Sequence, residues 1–258
     1  MRIRYNPEAR PELAAWEYYI DEPEKLRGHW AEQFPRRQPM VLELGCGKGG
    51  FLAQMAPAHP EKNYIALDLK SEMLVLAKRK AEEAYAAVGR PVENLLMTAV
   101  DIERIFLIMD ENDRFQEVYV NFCPPCPKCR QHKHRLTHPR QLERYRTLMA
   151  PGARLYFKTD DDDLFMASLG YLQEAGWVLD YCTRDLHREG APAESPRTEH
   201  EEMFAAQGIP IKYLIAHPPE ETREKEPPDS RKTGIRGLFA GKIRRRGSGN
   251  APARWRRY

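Results

Sequence analysis

No stretch of this 258-residue sequence approaches the ~18 consecutive apolar residues that a membrane helix needs, so a helical membrane protein is excluded. Cysteine is scarce: there are five, an odd number, and three of them fall between residues 123 and 129. That pattern argues against a disulfide framework and for a reducing compartment, and a cytoplasmic location is expected. The opening residues MRIRYNPEAR have no apolar core, so no secretory signal is expected. Asp and Glu are missing altogether from Ser230 onward. No internal repeat is present, and nothing in the sequence specifies an oligomeric state.

What remains describes a soluble globular chain, with 41% apolar and 31% charged residues. At this length a chain buries roughly 70–75% of its unfolded surface without covalent staples. The net charge of +3 hides an asymmetry. The acid-free tail holds ten basic residues, Arg231 to Arg257, which leaves 31 basic against 38 acidic residues before it. A +10 tail on a −7 body points to a polyanion partner, the alternative being a solubilising terminus.

Strand-like and helix-like runs alternate, which predicts an α/β fold with a mostly parallel sheet covered by helices. The predicted strands are 40–44, 64–68, 95–100, 117–122, 154–158, 178–182 and 212–216. The clearest helix runs from Glu72 to Val88, with Met73, Leu76, Ala77, Ala81, Ala84 and Val88 as its apolar stripe. Another is predicted over Pro139–Met149, with proline in its first turn. The chain divides into an N-terminal, partly helical extension (1–37), a main domain (38–217), and a linker with a basic, flexible tail (218–258).

Two loops carry candidate chemistry. The first, in Val41-Leu-Glu-Leu-Gly-Cys-Gly-Lys-Gly-Gly50, joins a buried strand to a helix. Glycines there let the backbone turn sharply and approach a ligand. Gly45, Gly47 and Gly50 satisfy G-x-G-x-x-G, so a dinucleotide or a purely structural turn would also fit. Glu43 decides between the ligands: a carboxylate repels a pyrophosphate but attracts the ammonium and sulfonium of S-adenosylmethionine. That cofactor is the favoured reading, with Glu43, Gly45, Gly47 and Gly49 at one end. Asp68 is placed to accept from ribose hydroxyls, and Asp101 either meets the adenine or caps the helix at 102–109.

The second loop, Asn121–Arg135 (NFCPPCPKCRQHKHR), follows a strand and is stiffened by Pro124, Pro125 and Pro127. Such a loop at a strand end is where open α/β sheets place their chemistry. Cys123, Cys126 and Cys129 have the spacing of zinc or iron–sulfur ligands, with His132 or His134 to complete a site. Reduced thiols are the favoured alternative, because no fourth ligand is identified and Cys123 ends a buried strand. Cys46 and Cys182 read as small core residues.

Taken together, LELGCGKGGF, the strand ending in NF, P-x-P-K at Pro125–Lys128, HRLTHP, FKTDDDDLF, TRDLH and TEHEEMF resemble the bacterial tRNA (guanine-N7)-methyltransferases in order and spacing. The likeness covers roughly residues 38–217. It implies a class I methyltransferase (Rossmann-like) fold with a seven-stranded sheet, S-adenosylmethionine as cofactor, and methylation of a guanine N7 in the tRNA variable loop. It further implies cofactor contacts at Glu43, Asp68 and Asp101, and substrate contacts at Lys128, Asp160 and Thr198–Glu201. Where the family reads S-D-P-W-P-K-K-R-H, residues 123–131 read CPPCPKCRQ. The family's acidic position is Pro124, its tryptophan is Cys126, and its usual aromatic between Thr198 and Glu201 is His200. No catalytic residue is therefore assigned. Two other readings start from Pro124: a tRNA-binding relative with weakened catalysis, and a methyltransferase of changed substrate with a metal-bearing loop.

Guanine N7 carries a free lone pair, so its methylation needs alignment and not a general base. The product ring is cationic, and a nearby carboxylate would stabilise it. Asp160–Asp163 are candidates to replace the missing charge, the alternative being that Asp161–Asp163 cap the next helix. Because N7 faces the deep, narrow groove of A-form RNA, the base must be presented in a loop or extruded. Lys128, Arg130, Lys133 and Arg135 are expected to hold phosphates, with the basic tail adding RNA affinity.

Overall fold

Seven strands form one sheet in the computed structural model, which describes residues 4–219. They are β1 (Met40–Leu44), β2 (Asn63–Asp68), β3 (Leu95–Ala99), β4 (Phe115–Asn121), β5 (Met149–Thr159), β6 (Val178–Thr183) and β7 (Lys212–His217). The spatial order is β3-β2-β1-β4-β5-β7-β6, parallel from β3 to β5, with β7 antiparallel to both neighbours. The helices are α1 (Ala9–Ala14), α2 (Leu52–Ala58), α3 (Ser71–Ala87), α4 (Pro139–Leu148), α5 (Asp162–Glu174), α6 (Leu186–Glu189) and α7 (Glu199–Ala205). The linker and basic tail predicted beyond residue 219 lie outside the described residues.

Strand side chains alternate between faces, and both faces here are apolar, as a buried parallel sheet requires. Leu42, Leu44, Ile65, Leu67, Val118, Val120, Leu155 and Phe157 pack with α4 and α5 through Leu142, Tyr145, Leu164 and Phe165. Val41, Tyr64, Ala66, Tyr119 and Tyr156 face the other way, onto Leu13, Leu52, Met55, Leu74, Ala77 and Tyr85 of α1–α3. Glu43 interrupts the second set, a carboxylate in an otherwise apolar row. The outer edge of β3 is covered by the segment before β1. Met97 N donates to Tyr18 O, Ile20 N donates to Met97 O, both at 2.9 Å, and Thr98 Oγ1 donates to Ile20 O at 2.7 Å.

Three expectations are corrected. The buried stripe of α3 is Leu74, Val75, Ala77, Ala81 and Tyr85, while Val88 follows the helix and is 54% exposed. Tyr85 goes inward because its hydroxyl donates to buried Asn94 at 2.5 Å, so its polar end is satisfied. The helix predicted to reach Met149 stops at Leu148, and β5 begins at once. Cys182 is exposed, not a core residue, because it lies on the edge strand β6, where most side chains are uncovered.

Candidate active site

A cavity of about 400 Å³ opens at the carboxyl ends of β1 to β4. This is the edge at which an open parallel sheet presents loops to a ligand. Glu43, at its floor, is 2% exposed. Its Oε1 accepts from Asn121 Nδ2 at 3.1 Å, and its Oε2 is buried with no partner. Burial pushes the carboxyl up to about 8; the nearby Asp68 charge adds to this, and the Asn121 hydrogen bond and Lys158 oppose it. A buried carboxylate oxygen without a donor is expensive, and a cationic ligand would satisfy it.

The glycine turn after β1 is fixed by the next strand. Gly45 N and Cys46 N both donate to Leu67 O, at 2.8 and 3.0 Å. Asp68 Oδ2 accepts from Gly47 N and its Oδ1 from Lys70 N, each at 2.9 Å. Burial raises the Asp68 carboxyl above the usual range, against those two N–H groups. Gly45, Gly47, Gly50 and Asp68 line the cavity. Gly49 does not. At φ +73° its Cα faces α3, where a Cβ would lie 2.7 Å from Ala77 Cβ, so its place is helix packing against the turn. Asp101 lines the cavity and also caps a 3-10 helix, its Oδ1 accepting from Glu103 N at 3.0 Å. The capping role is therefore observed.

The proline-rich loop forms the opposite wall through Phe122, Cys123, Pro124, Cys126, His134 and Leu136. Two of its residues sit at positive φ, Phe122 at 53° and Cys126 at 47°, which strains any side chain but glycine. His134 Nδ1 and Arg140 reach across to Glu103, drawing its carboxyl below the ordinary range. Cys123 is buried, and burial pushes its thiol up to about 12, so it is a protonated thiol. Cys126 is half-buried and Cys129 exposed. Among the described residues no group of three or more His, Cys, Asp or Glu side chains converges as a metal-ligand set.

Of the residues expected to meet a substrate, Thr198 lines the cavity, together with Glu199 and His200. Its Oγ1 accepts from Glu201 N at 3.2 Å and starts α7. Glu201 itself points inward, 1% exposed, with Lys158 Nζ at 2.9 Å and His187 Nε2 at 2.7 Å. Burial lowers the Lys158 ammonium while Glu201 supports it. Lys128 is exposed at the start of a 3-10 helix, and Asp160 is half-buried outside the lining, its carbonyl accepting from Lys212 Nζ at 2.8 Å. The Asp160–Asp163 run does not line the cavity. Asp161 caps α5 by accepting from Leu164 N at 2.6 Å, and Asp162 pairs with Lys212 at 3.0 Å.

Arg135 is not a phosphate ligand. It is 3% exposed, and its Nε donates to Pro125 O at 2.8 Å, so its charge is spent holding the loop from beneath. Lys128, Arg130 and Lys133 stay exposed. Glu103, Lys70 and Met73 also line the cavity without a separate sequence signal; each arrives there because its element follows a lining strand.

A family model described as "Putative methyltransferase" matches residues 37–214. A "tRNA (guanine-N(7)-)-methyltransferase" of Clostridium perfringens is 48% identical over 217 residues, covering 84% of this chain and 99% of that protein. A protein of the same name from Ruminiclostridium cellulolyticum is also 48% identical, covering 84% of this chain and 92% of that one. Among solved structures, the 16S rRNA methyltransferase KamB superposes with a TM-score of 0.51 at 18% identity, covering 76% of this chain and 92% of that one, a likeness of fold alone.

Proposed function

This chain belongs to the tRNA (guanine-N7)-methyltransferase family, and on that premise we propose how its residues divide the reaction between cofactor and tRNA. The reaction is S-adenosylmethionine-dependent methylation of guanine N7 in tRNA, with the variable loop as the proposed target. The observation that carries the cofactor assignment is the orphaned Glu43 Oε2 in a cavity walled by a glycine turn. Glu43 would take the cofactor's cationic amino-acid end, Gly45 and Gly47 would allow its close approach, and Asp68 would accept from its ribose hydroxyls. Asp101 would face its adenine. The bound cofactor supplies an electrophilic methyl group on a sulfonium.

The protein's own work is then to position the base. Thr198 and its neighbours at the start of α7 form the substrate side of the cavity. Glu201 acts from below, holding α7 through Lys158 and His187. Exposed Lys128, Arg130 and Lys133 suit RNA phosphates, and the ten basic residues after Ser230 extend that attraction. A tRNA substrate and five free thiols support a cytoplasmic location. Among the described residues no helix is long and apolar enough to cross a membrane. Mass spectrometry for 7-methylguanosine in tRNA incubated with protein and cofactor tests the reaction. Calorimetric titration of the cofactor into the Glu43→Gln variant tests the site, and unchanged affinity would overturn it.

A further inference from the structure

Phe122 follows β4 at φ +53°, and its N–H still donates to Lys158 O at 2.9 Å, so the sheet holds a bulky residue in a strained conformation. Its ring lines the cavity. It lies 6.1 Å from the His200 ring at 20° between planes, and 6.2 Å from Phe204 at 28°; His200 and Phe204 are 6.4 Å apart. His200 is exposed and the two phenylalanines are half-buried; Phe122 and His200 line the cavity, and Phe204 backs them from outside its lining. Pro124, beside it, brings no charge. The carboxylates of the lining are engaged elsewhere: Glu103 with His134 and Arg140, Glu199 with Lys80, Asp101 in a cap. Glu43 and Asp68 belong to the cofactor end.

The reaction determines what such a cluster can contribute. Guanine N7 donates its lone pair to the methyl carbon, the N–C bond forms as the S–C bond breaks, and that electron pair stays on sulfur. No proton leaves, and the guanine ring becomes cationic. A π face attracts a cation more strongly than a neutral ring, so aromatic contact gains strength as the methyl moves.

The geometry points to Phe122 and His200, backed by Phe204, as the platform that receives the extruded guanine and stabilises its developing positive charge through π faces, where Pro124 leaves the loop without a carboxylate. This rests on the cofactor placement proposed above. The test replaces Phe122 in the full chain with mono-, di- and trifluorophenylalanine, which keep the shape while depleting the π face. Affinities for tRNA carrying 7-methylguanine at the target position and for unmodified tRNA are compared without cofactor. The preference for the methylated tRNA falls stepwise with each fluorine, and the single-turnover methylation rate falls with it. Phe122→Leu slows that rate about tenfold or more while cofactor affinity holds. A preference indifferent to fluorination overturns the inference. A Glu43→Gln variant with unchanged cofactor affinity would overturn the cofactor placement instead, whatever the fluorine series shows.

Discussion

Lys158 Nζ lies 2.9 Å from Glu201 Oε2, and the two side chains are 4% and 1% exposed. One spans from β5 to the other on α7, so the pair ties the sheet to the helix whose first turn faces the cavity. Removing one partner leaves a buried charge uncompensated, which costs about 3–5 kcal/mol. Glu201→Ala is expected to lower thermal stability strongly and to abolish methylation. The double variant Lys158→Met with Glu201→Leu should recover most of the stability but not the activity, as measured by calorimetric melting and tRNA methylation.

The carboxyl of Glu43, held near 8 by burial, makes cofactor binding depend on pH. A cationic ligand needs the ionised form, so binding at pH 7 releases a proton, and affinity rises with pH up to about 8, by at most about tenfold per unit. Titration calorimetry in two buffers of different ionisation enthalpy should show the release, and Glu43→Gln should lose it. The ligand-free protein shows the opposite trend. A carboxyl raised in the folded state contributes its stability fully below about 4.5, and that contribution is lost as pH rises through 8. Glu43→Gln should flatten this decline.

Gly49 packs where a Cβ would meet Ala77 Cβ at 2.7 Å, in a backbone conformation at φ +73°. Gly49→Ala is expected to cost about 1–3 kcal/mol and to weaken cofactor binding by displacing the turn. Adding Ala77→Gly should restore little of the stability, because the backbone Cα of residue 77 would still lie 2.8 Å from that Cβ, so both the residual clash and the backbone strain remain. Denaturant midpoints of the single and double variants measure both parts.

Arg135 and Lys128 lie seven residues apart and should fail differently. Arg135→Met frees Pro125 O and loosens the loop, so the methylation rate at saturating tRNA should fall with little change in the salt dependence of binding. Lys128→Ala should weaken tRNA binding and reduce the salt slope by about 0.7–0.9 if it meets one phosphate, with saturated turnover nearly unchanged. Binding isotherms across a salt series separate the two.

Much of this architecture was legible beforehand because buried parallel strands are nearly continuous apolar runs, and Met40–Leu44 is predicted to the residue. The place of Glu43 was legible too, as the carboxylate just before the glycine turn, and it lines the cavity. Charge was the weaker guide. Arg135 reads as a solvent-facing phosphate ligand because charged side chains usually face solvent, yet it is buried and held by the carbonyl of Pro125. The rotated face of α3 turns on Tyr85, whose burial depends on Asn94 nine residues later, and no helical periodicity contains that partner.

The strip Tyr18–Ile20 along β3 changes how the chain can be shortened. A protein trimmed to the segment that the family model matches would begin after this strip and leave the outer N–H and C=O of Met97 bare. Bare strand edges recruit other strands. Such a trimmed protein would also lose Leu13, Trp30 and Phe34 from the core and end inside β7, so it is expected to be less stable and to self-associate edge to edge, and a loss of soluble yield in it would say nothing about catalysis.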